Sequence, residues 1–167
     1  MILARYPQLA GSSIYTVAIL SDEGTVNAFL ARNPSSATAK GGPLGWDALT
    51  YLCFSRYLTL DRTRSDGFFS TARALLDAGA SPNTGWVEMI DHPNPRPVLE
   101  TVIYGAAGVA QHAGLTRLLL ERRADPNDEE NAYHVIETYD NTVLKILLES
   151  GKFNERSLGI ALVRKRD

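Results

Sequence analysis

The chain has 167 residues, 17 Lys plus Arg against 19 Asp plus Glu, three His and one Cys, and 44% of its residues are hydrophobic. Values so near the globular average exclude disorder, collagen-like sequence and a disulfide framework, and the length suggests one domain. A formal net charge of -2 gives no general attraction to nucleic acid or an anionic membrane, and Cys53 alone closes no internal disulfide and completes no multi-cysteine zinc site.

In chain order, a leader runs to about Ser12. The first apolar stretch, Ile14 to Leu20, has seven residues and is closed by Asp22 and Glu23, which is too short for a secretory signal. The longest uncharged stretches, Tyr6 to Ser21 and Thr101 to Thr116, contain Pro, Gln, His and Gly and fall short of the ~20 apolar residues a membrane span needs. A soluble, cytoplasmic protein is expected. Phe29 to Ser36 (FLARNPSS) ends the first unit, and Asp47 opens a helix within Gly45 to Cys53 (GWDALTYLC). The stretch from about Arg56 to Asp66 (RYLTLDRTRSD) is an insertion expected to extend that helix and its loop. Leu75 to Asn83 reads LLDAGASPN and is followed by Thr84 to Pro97 (TGWVEMIDHPNPRP). Its Pro and Asn content predicts an ordered but non-helical finger.

The ending LLDAGASPN returns 44 residues later as LLERRADPN, Leu119 to Asn127, and again in degraded form as LLESGKFN, Leu147 to Asn154. The latter two copies close apolar stretches of helical period: Val109, His112, Ala113, Thr116, Leu119 and Leu120 in one, and Ala132, Val135, Val143, Leu144, Leu147 and Leu148, with a break, in the other. Gly79 and Gly151 stand where a helix stops, able to take the left-handed conformation that satisfies its last carbonyls. Pro82 and Pro126 forbid continuation, and Asn83 and Asn127 favour the next turn. Arg123 replaces glycine in the middle copy, a local defect if that site needs a positive backbone angle. A short helix, Ser157 to Val163, with Leu158, Ala161 and Leu162 on one face, precedes the terminal RKRD.

These residues resemble the ankyrin repeat family, whose unit of about 33 residues pairs a turn with two antiparallel helices. LLLERRADPN, Leu118 to Asn127, is nearly the family's own ending, and Gln111-His112 falls where its Gly-His pair sits. Asn131 to Gly151 follows the template without a gap, with Tyr133-His134 in its first helix. Asp47-Ala48-Leu49-Thr50 stands where Thr-Pro-Leu-His would open a repeat. The endings are spaced 46, 44 and 28 residues apart, so two units carry insertions and one a shortened turn. The resemblance implies an all-α ankyrin-repeat solenoid of stacked helix-turn-helix units with one extended inter-repeat finger. Its single domain, 1–167, holds repeats at about 13–44, 45–83, 84–127 and 128–155 and a partial unit at 156–167, which is either a minimal cap or the start of more chain.

Candidate chemistry is sparse. Cys53 lies in an apolar helix face as a small buried hydrophobe. His112 and His134 fall on template positions, and His92 sits in the finger between Asp91 and Pro93. No HxxxH, CxxC or GxSxG spacing occurs, and Gly105 to Gly108 lack the Lys-Ser/Thr of a phosphate loop. No catalytic, cofactor-binding or metal residue is assigned, and no enzyme is expected. The acidic run Asp125 to Glu130 reads as a solvated turn or a patch for a basic partner, and Arg164-Lys165-Arg166 is a weak nucleic-acid signal. The aromatics say more. Trp46 precedes Asp47 at an exposed turn beside the family's concave groove, and Trp86, Val87, Met89 and Ile90 put apolar side chains into the finger, either to close it over its own repeat or to meet a partner. The family implies a non-catalytic protein-protein interaction scaffold, monomeric, binding another protein and neither nucleic acid nor membrane, through its concave face and turns. Contact residues are expected at Trp46, Trp86, Glu88, Met89, Asp91, Glu130 and Glu137. The alternatives are a structural segment of a longer array and an enzyme using the 84–97 finger as a lid.

Overall fold

Five short polar side chains set the phase of the structure. In the computed structural model, which describes residues 5–91 and 94–164, Ser13, Asp47, Thr101, Asp128 and Asn154 each stand at the head of a helical segment. Each accepts a bond from the backbone N–H three residues on: Ser13 from Thr16 at 3.2 Å, Asp47 from Thr50 at 2.9 Å, Thr101 from Tyr104 at 3.2 Å, Asp128 from Asn131 and Asn154 from Ser157 at 2.8 Å. This is N-capping, which satisfies an amide that the helix itself leaves open. Asp22 and His112 cap the helices that begin at Glu23 and Ala113 in the same way, accepting the Thr25 N–H at 3.0 Å and the Leu115 N–H at 3.1 Å.

The elements follow in order as helices α1 (Ile14–Ile19), α2 (Glu23–Arg32), α3 (Ala48–Cys53), α4 (Tyr57–Leu60) and α5 (Ser65–Asp77), then strands β1 (Gly85–Ile90) and β2 (Arg96–Thr101). A π-helical segment, Tyr104–Val109, comes next, and then α6 (Ala113–Glu121), α7 (Glu129–His134), α8 (Thr142–Glu149) and α9 (Glu155–Arg164). The chain divides into two compact units, Met1–Ser81 and Pro82–Asp167. In the first, α1 packs beside α3 and α2 beside α5, over Val17, Val26, Leu49, Leu52, Phe68 and Leu75. In the second, the π segment, α7 and α9 form one row and α6 packs against α8, burying Ile103, Leu115, Leu119 and Leu147. At roughly 1.5–3 kcal/mol for each fully buried side chain of this size, such contacts hold each pair of helices to the next.

The turns are left-handed where the repeated ending requires it: φ is 99° at Gly79, 71° at Arg123 and 66° at Gly151. Around Arg123 its own N–H bonds Leu120 O at 3.1 Å and the Ala124 N–H bonds Leu119 O at 2.9 Å; Gly79 and Ala80 make the same pair to Leu76 and Leu75. This closure needs the positive angle, which costs a residue with a Cβ about 1 kcal/mol. Arg123→Gly is therefore expected to stabilise the protein by about 1 kcal/mol, seen as a raised thermal midpoint; an unchanged or lower midpoint would contradict the turn geometry.

The asparagines after those turns do more than favour a bend. Asn83 donates from Nδ2 to Arg123 O at 3.3 Å and accepts the Asp125 N–H at 2.7 Å. Asn127 repeats this one unit on, donating to Lys152 O at 2.9 Å and accepting the Asn154 N–H at 2.8 Å. Each side chain thus ties its own turn to the following one.

Two expectations are corrected. The all-α ankyrin-repeat solenoid is overturned, because the finger is a two-stranded antiparallel sheet with Trp86 opposite Glu100, Val87 opposite Leu99, Glu88 opposite Val98 and Met89 opposite Pro97. Gly-Trp-Val-Glu-Met-Ile has strand alternation. Pro97 is tolerated because both strands of a two-stranded sheet are edges. Second, the insertion at 56–66 does not lengthen α3, which ends at Cys53; it forms the separate α4 and a 3₁₀ turn at Arg62–Arg64. Among the described residues, no helix is long and apolar enough to cross a membrane.

Candidate binding site

Side chains alternate across a strand, so the hairpin has two chemically different faces. Val87, Met89 and Leu99 share one with Pro97 and Thr101. They remain 59%, 57% and 46% exposed, so this face does not fold back over its own unit. The other carries Trp86, Glu88, Ile90, Arg96, Val98 and Glu100, and all of these except Glu88 and Arg96 are half-buried or buried. Trp86 and Met89, expected to act together, point to opposite sides.

The base of the hairpin is fixed to α7. Thr101 Oγ1 donates to Asp128 Oδ2 while accepting the Tyr104 N–H at 3.2 Å, so one threonine links strand, π segment and the cap of α7. Burial raises the Asp128 carboxyl to about 6, against the lowering effect of its bonds from Thr101 and Asn131. Beside it, His134 lies between two carboxylates, with Nε2 3.3 Å from Glu130 and Nδ1 2.8 Å from Glu137. Its ring meets Tyr104 at 5.5 Å and Tyr133 at 4.9 Å between centroids.

Glu100 lies within this arrangement. It is 3% exposed, and burial, followed by the charges of Glu130, Glu88 and Asp128, raises its carboxyl to about 7, with His134 working the other way. Tyr104 is pushed up to about 12, by burial first and then by Glu100, Glu130 and Asp128. Removing a carboxylate from water without a counter-charge penalises its ionised form.

Of the seven expected contact residues, Glu88 and Glu130 both act on Glu100, and Glu137 joins through His134. Trp86 stands directly opposite Glu100, Met89 lies on the outer face, and Asp91 is exposed at the end of β1. Trp46 belongs to the first unit. It is half-buried against Tyr51 and Phe54, at 5.2 and 6.0 Å, and its carbonyl accepts the Gly41 N–H at 2.9 Å, so it is a packed turn residue and not the exposed one expected. Asp128 lies in the acidic run already singled out, whereas Glu100, Tyr104 and the pairing of His134 with its flanking carboxylates were not singled out. The cross-strand partnering of Leu99-Glu100-Thr101 with Gly85-Trp86-Val87 is the signal that could have found Glu100. His92 and Pro93 lie outside the described residues, as do Lys165 to Asp167.

Cys53 is buried and burial pushes its thiol up, which makes it unreactive. Among the described residues, no three His, Cys, Asp or Glu side chains converge to hold a metal ion. No protein-family model matches the chain, and no curated protein sequence matches it.

Proposed function

We propose that the chain is a non-catalytic protein-binding module, related to the ankyrin repeats, that acts as a cytoplasmic monomer and takes another protein as its partner. The observation that carries this reading is the outer face of the hairpin, where Val87, Met89 and Leu99 stay exposed side by side on a segment anchored at Thr101 and Asp128. Apolar side chains held in one place on a fixed support are what interface cores use, because little order remains to be imposed on binding. The repeated turns, tied by Asn83 and Asn127, keep that support stiff. Nucleic acid is a poor fit to a hairpin whose inner face carries Glu88 and Glu100 next to Glu130.

The test is site-specific photo-crosslinking in cells that express the protein. A benzophenone amino acid at Val87 is expected to trap one defined protein, and the product should vanish when Met89→Asp is added. The same probe at Leu60, which is 77% exposed in the first unit, should not trap it. Identical products from both positions would overturn the reading.

A further inference from the structure

The hairpin leaves one backbone edge open beside a groove. The Val102 N–H bonds Thr84 O at 2.9 Å, and with Gly85 opposite Thr101 and Trp86 opposite Glu100 this fixes which residues of β2 turn their backbone towards β1. They are Arg96, Val98 and Glu100, because the bonding groups of successive residues in an antiparallel pair point to opposite sides. Pro97, Leu99 and Thr101 therefore direct theirs away from β1, and the missing N–H of Pro97 costs the pair nothing there. Along this edge runs a groove of about 560 Å³, with β2 from Arg96 to Leu99 and Thr101 as one wall and the turn at Asp125, Asn127 and Asp128 as the other. Consecutive β2 residues from both faces line it, and among the described residues none of β1 does, so the groove follows the edge of the strand and not its outer face.

We propose that this groove takes one extended segment of the partner protein, which adds to β2 as a third, antiparallel strand and carries a basic side chain towards its N-terminal end. An open strand edge is recognised by another strand. Leu99 offers an N–H and a C=O and Pro97 a C=O alone, so the residue opposite Leu99 makes both bonds and the one opposite Pro97 has only to donate. A side chain opposite Leu99 joins Leu99 and Val87 on the outer face, which suits an apolar residue. Two residues towards the base, the side chain opposite Thr101 meets the acidic wall. Both oxygens of Asp128 are engaged there, by Thr101 and by the Asn131 N–H, whereas Asp125 is exposed and uses Oδ1 on Asn127, so Asp125 is the charge that meets a cation. Arg96 stands at the other end of β2, and a strand with its basic residue first fits this polarity while the reverse order does not. Because the turn closes the second side of the groove, the occupant is a single strand and not the paired strands of a second copy. The assignment rests on the protein-binding reading for the source of the segment, but it uses the backbone edge of β2 and not the side chains of Val87 and Met89.

The probe is a blocked pentapeptide, acetyl-Lys-Ser-Val-Ser-Thr-amide, titrated into the full chain at neutral pH with two-dimensional amide NMR. Saturable shifts are expected at Val98, Leu99, Thr101 and Asp125, and the Leu99 amide should exchange with water about tenfold more slowly at saturation, once it is bonded. Methylating the valine nitrogen removes the donor to Leu99 O and should weaken binding about tenfold; reversing the sequence, which sets the lysine beside Arg96, should weaken it as much. Asp125→Asn keeps the oxygen that Asn127 uses and should weaken binding several-fold with the unbound spectrum nearly unchanged. Equal binding of the N-methyl or the reversed peptide, full affinity in Asp125→Asn, or unchanged exchange at Leu99 would each overturn the proposal. The same shifts on concentrating the protein alone would make a second copy the occupant and overturn it as well. Crosslinking from Val87 without peptide binding would leave the protein-binding reading intact while removing this one, and peptide binding without a crosslink would do the reverse.

Discussion

Gly85→Val is expected to melt the hairpin while leaving the helices of the second unit folded. Gly85 starts β1 opposite Thr101, and a Cβ placed there would fall well inside van der Waals contact of the Glu100 carbonyl oxygen and carbon and would crowd Thr101 Cα. All of these are backbone atoms, so no side chain can rotate away. Overpacking of this kind typically costs 1–3 kcal/mol and sometimes more; with the obstacle fixed, about 3 kcal/mol is expected. A two-stranded sheet is marginal by itself, and the bond from the Val102 N–H to Thr84 O at 2.9 Å closes its base only while the strands stay together. Amide-exchange protection should disappear across β1 and β2, with the helical circular dichroism retained. Undiminished protection would mean that the register pairing Gly85 with Thr101 is wrong. The same variant should abolish crosslinking from Val87, since the support for the outer face would be gone.

Local signals were legible in the sequence, and non-local ones were not. Gly79, Gly151 and even the anomalous Arg123 revealed their left-handed turns because a helix end is decided within a few residues, by which carbonyls remain unbonded and which residue can tolerate positive φ. Asp47 declared itself as a cap for the same reason. Asn83 and Asn127 were visible as a recurring residue, but their partners at Arg123 and Asp125, and at Lys152 and Asn154, lie in the next unit, and only the fold brings them there. The Pro and Asn content pointed to an ordered, non-helical finger but not to its strand pairing, which Pro97 permits because an edge strand has outward positions where no N–H is needed. Ending the finger at Pro97 then left Glu100 outside it. The acidic run at 125–130 raised the question of a basic partner, but Glu100, 25 positions before Asp125, is brought near Glu130 by the Thr101–Asp128 bond that fixes the base of β2 to α7.

That displaced glutamate gives the second large expectation: Glu100→Gln should make the protein more stable, by an amount that depends on pH. The folded state raises the carboxyl from 4.5 to about 7, so folding favours the protonated form. The associated stability is fully present below about pH 4.5 and is lost as pH rises through 7. Glutamine keeps the neutral shape at every pH. The full shift would correspond to about 3 kcal/mol; because the rim at Glu130 is partly hydrated, a gain of about 2 kcal/mol is expected at pH 8, or roughly 10 °C in the thermal midpoint of a unit this size. Near pH 4.5 the two proteins should melt together. Asp128, raised from 3.8 to about 6 by burial, acts in the same direction at lower pH, so some loss of stability between about pH 4 and 6 should persist in the variant. Thermal melts of both proteins at pH 4.5, 6 and 8 decide the matter. A stability difference that stays flat with pH would show that the ionised Glu100 carboxylate is already satisfied in the folded protein. A difference that grows as predicted would identify Glu100 as a residue whose ionised form destabilises the folded protein.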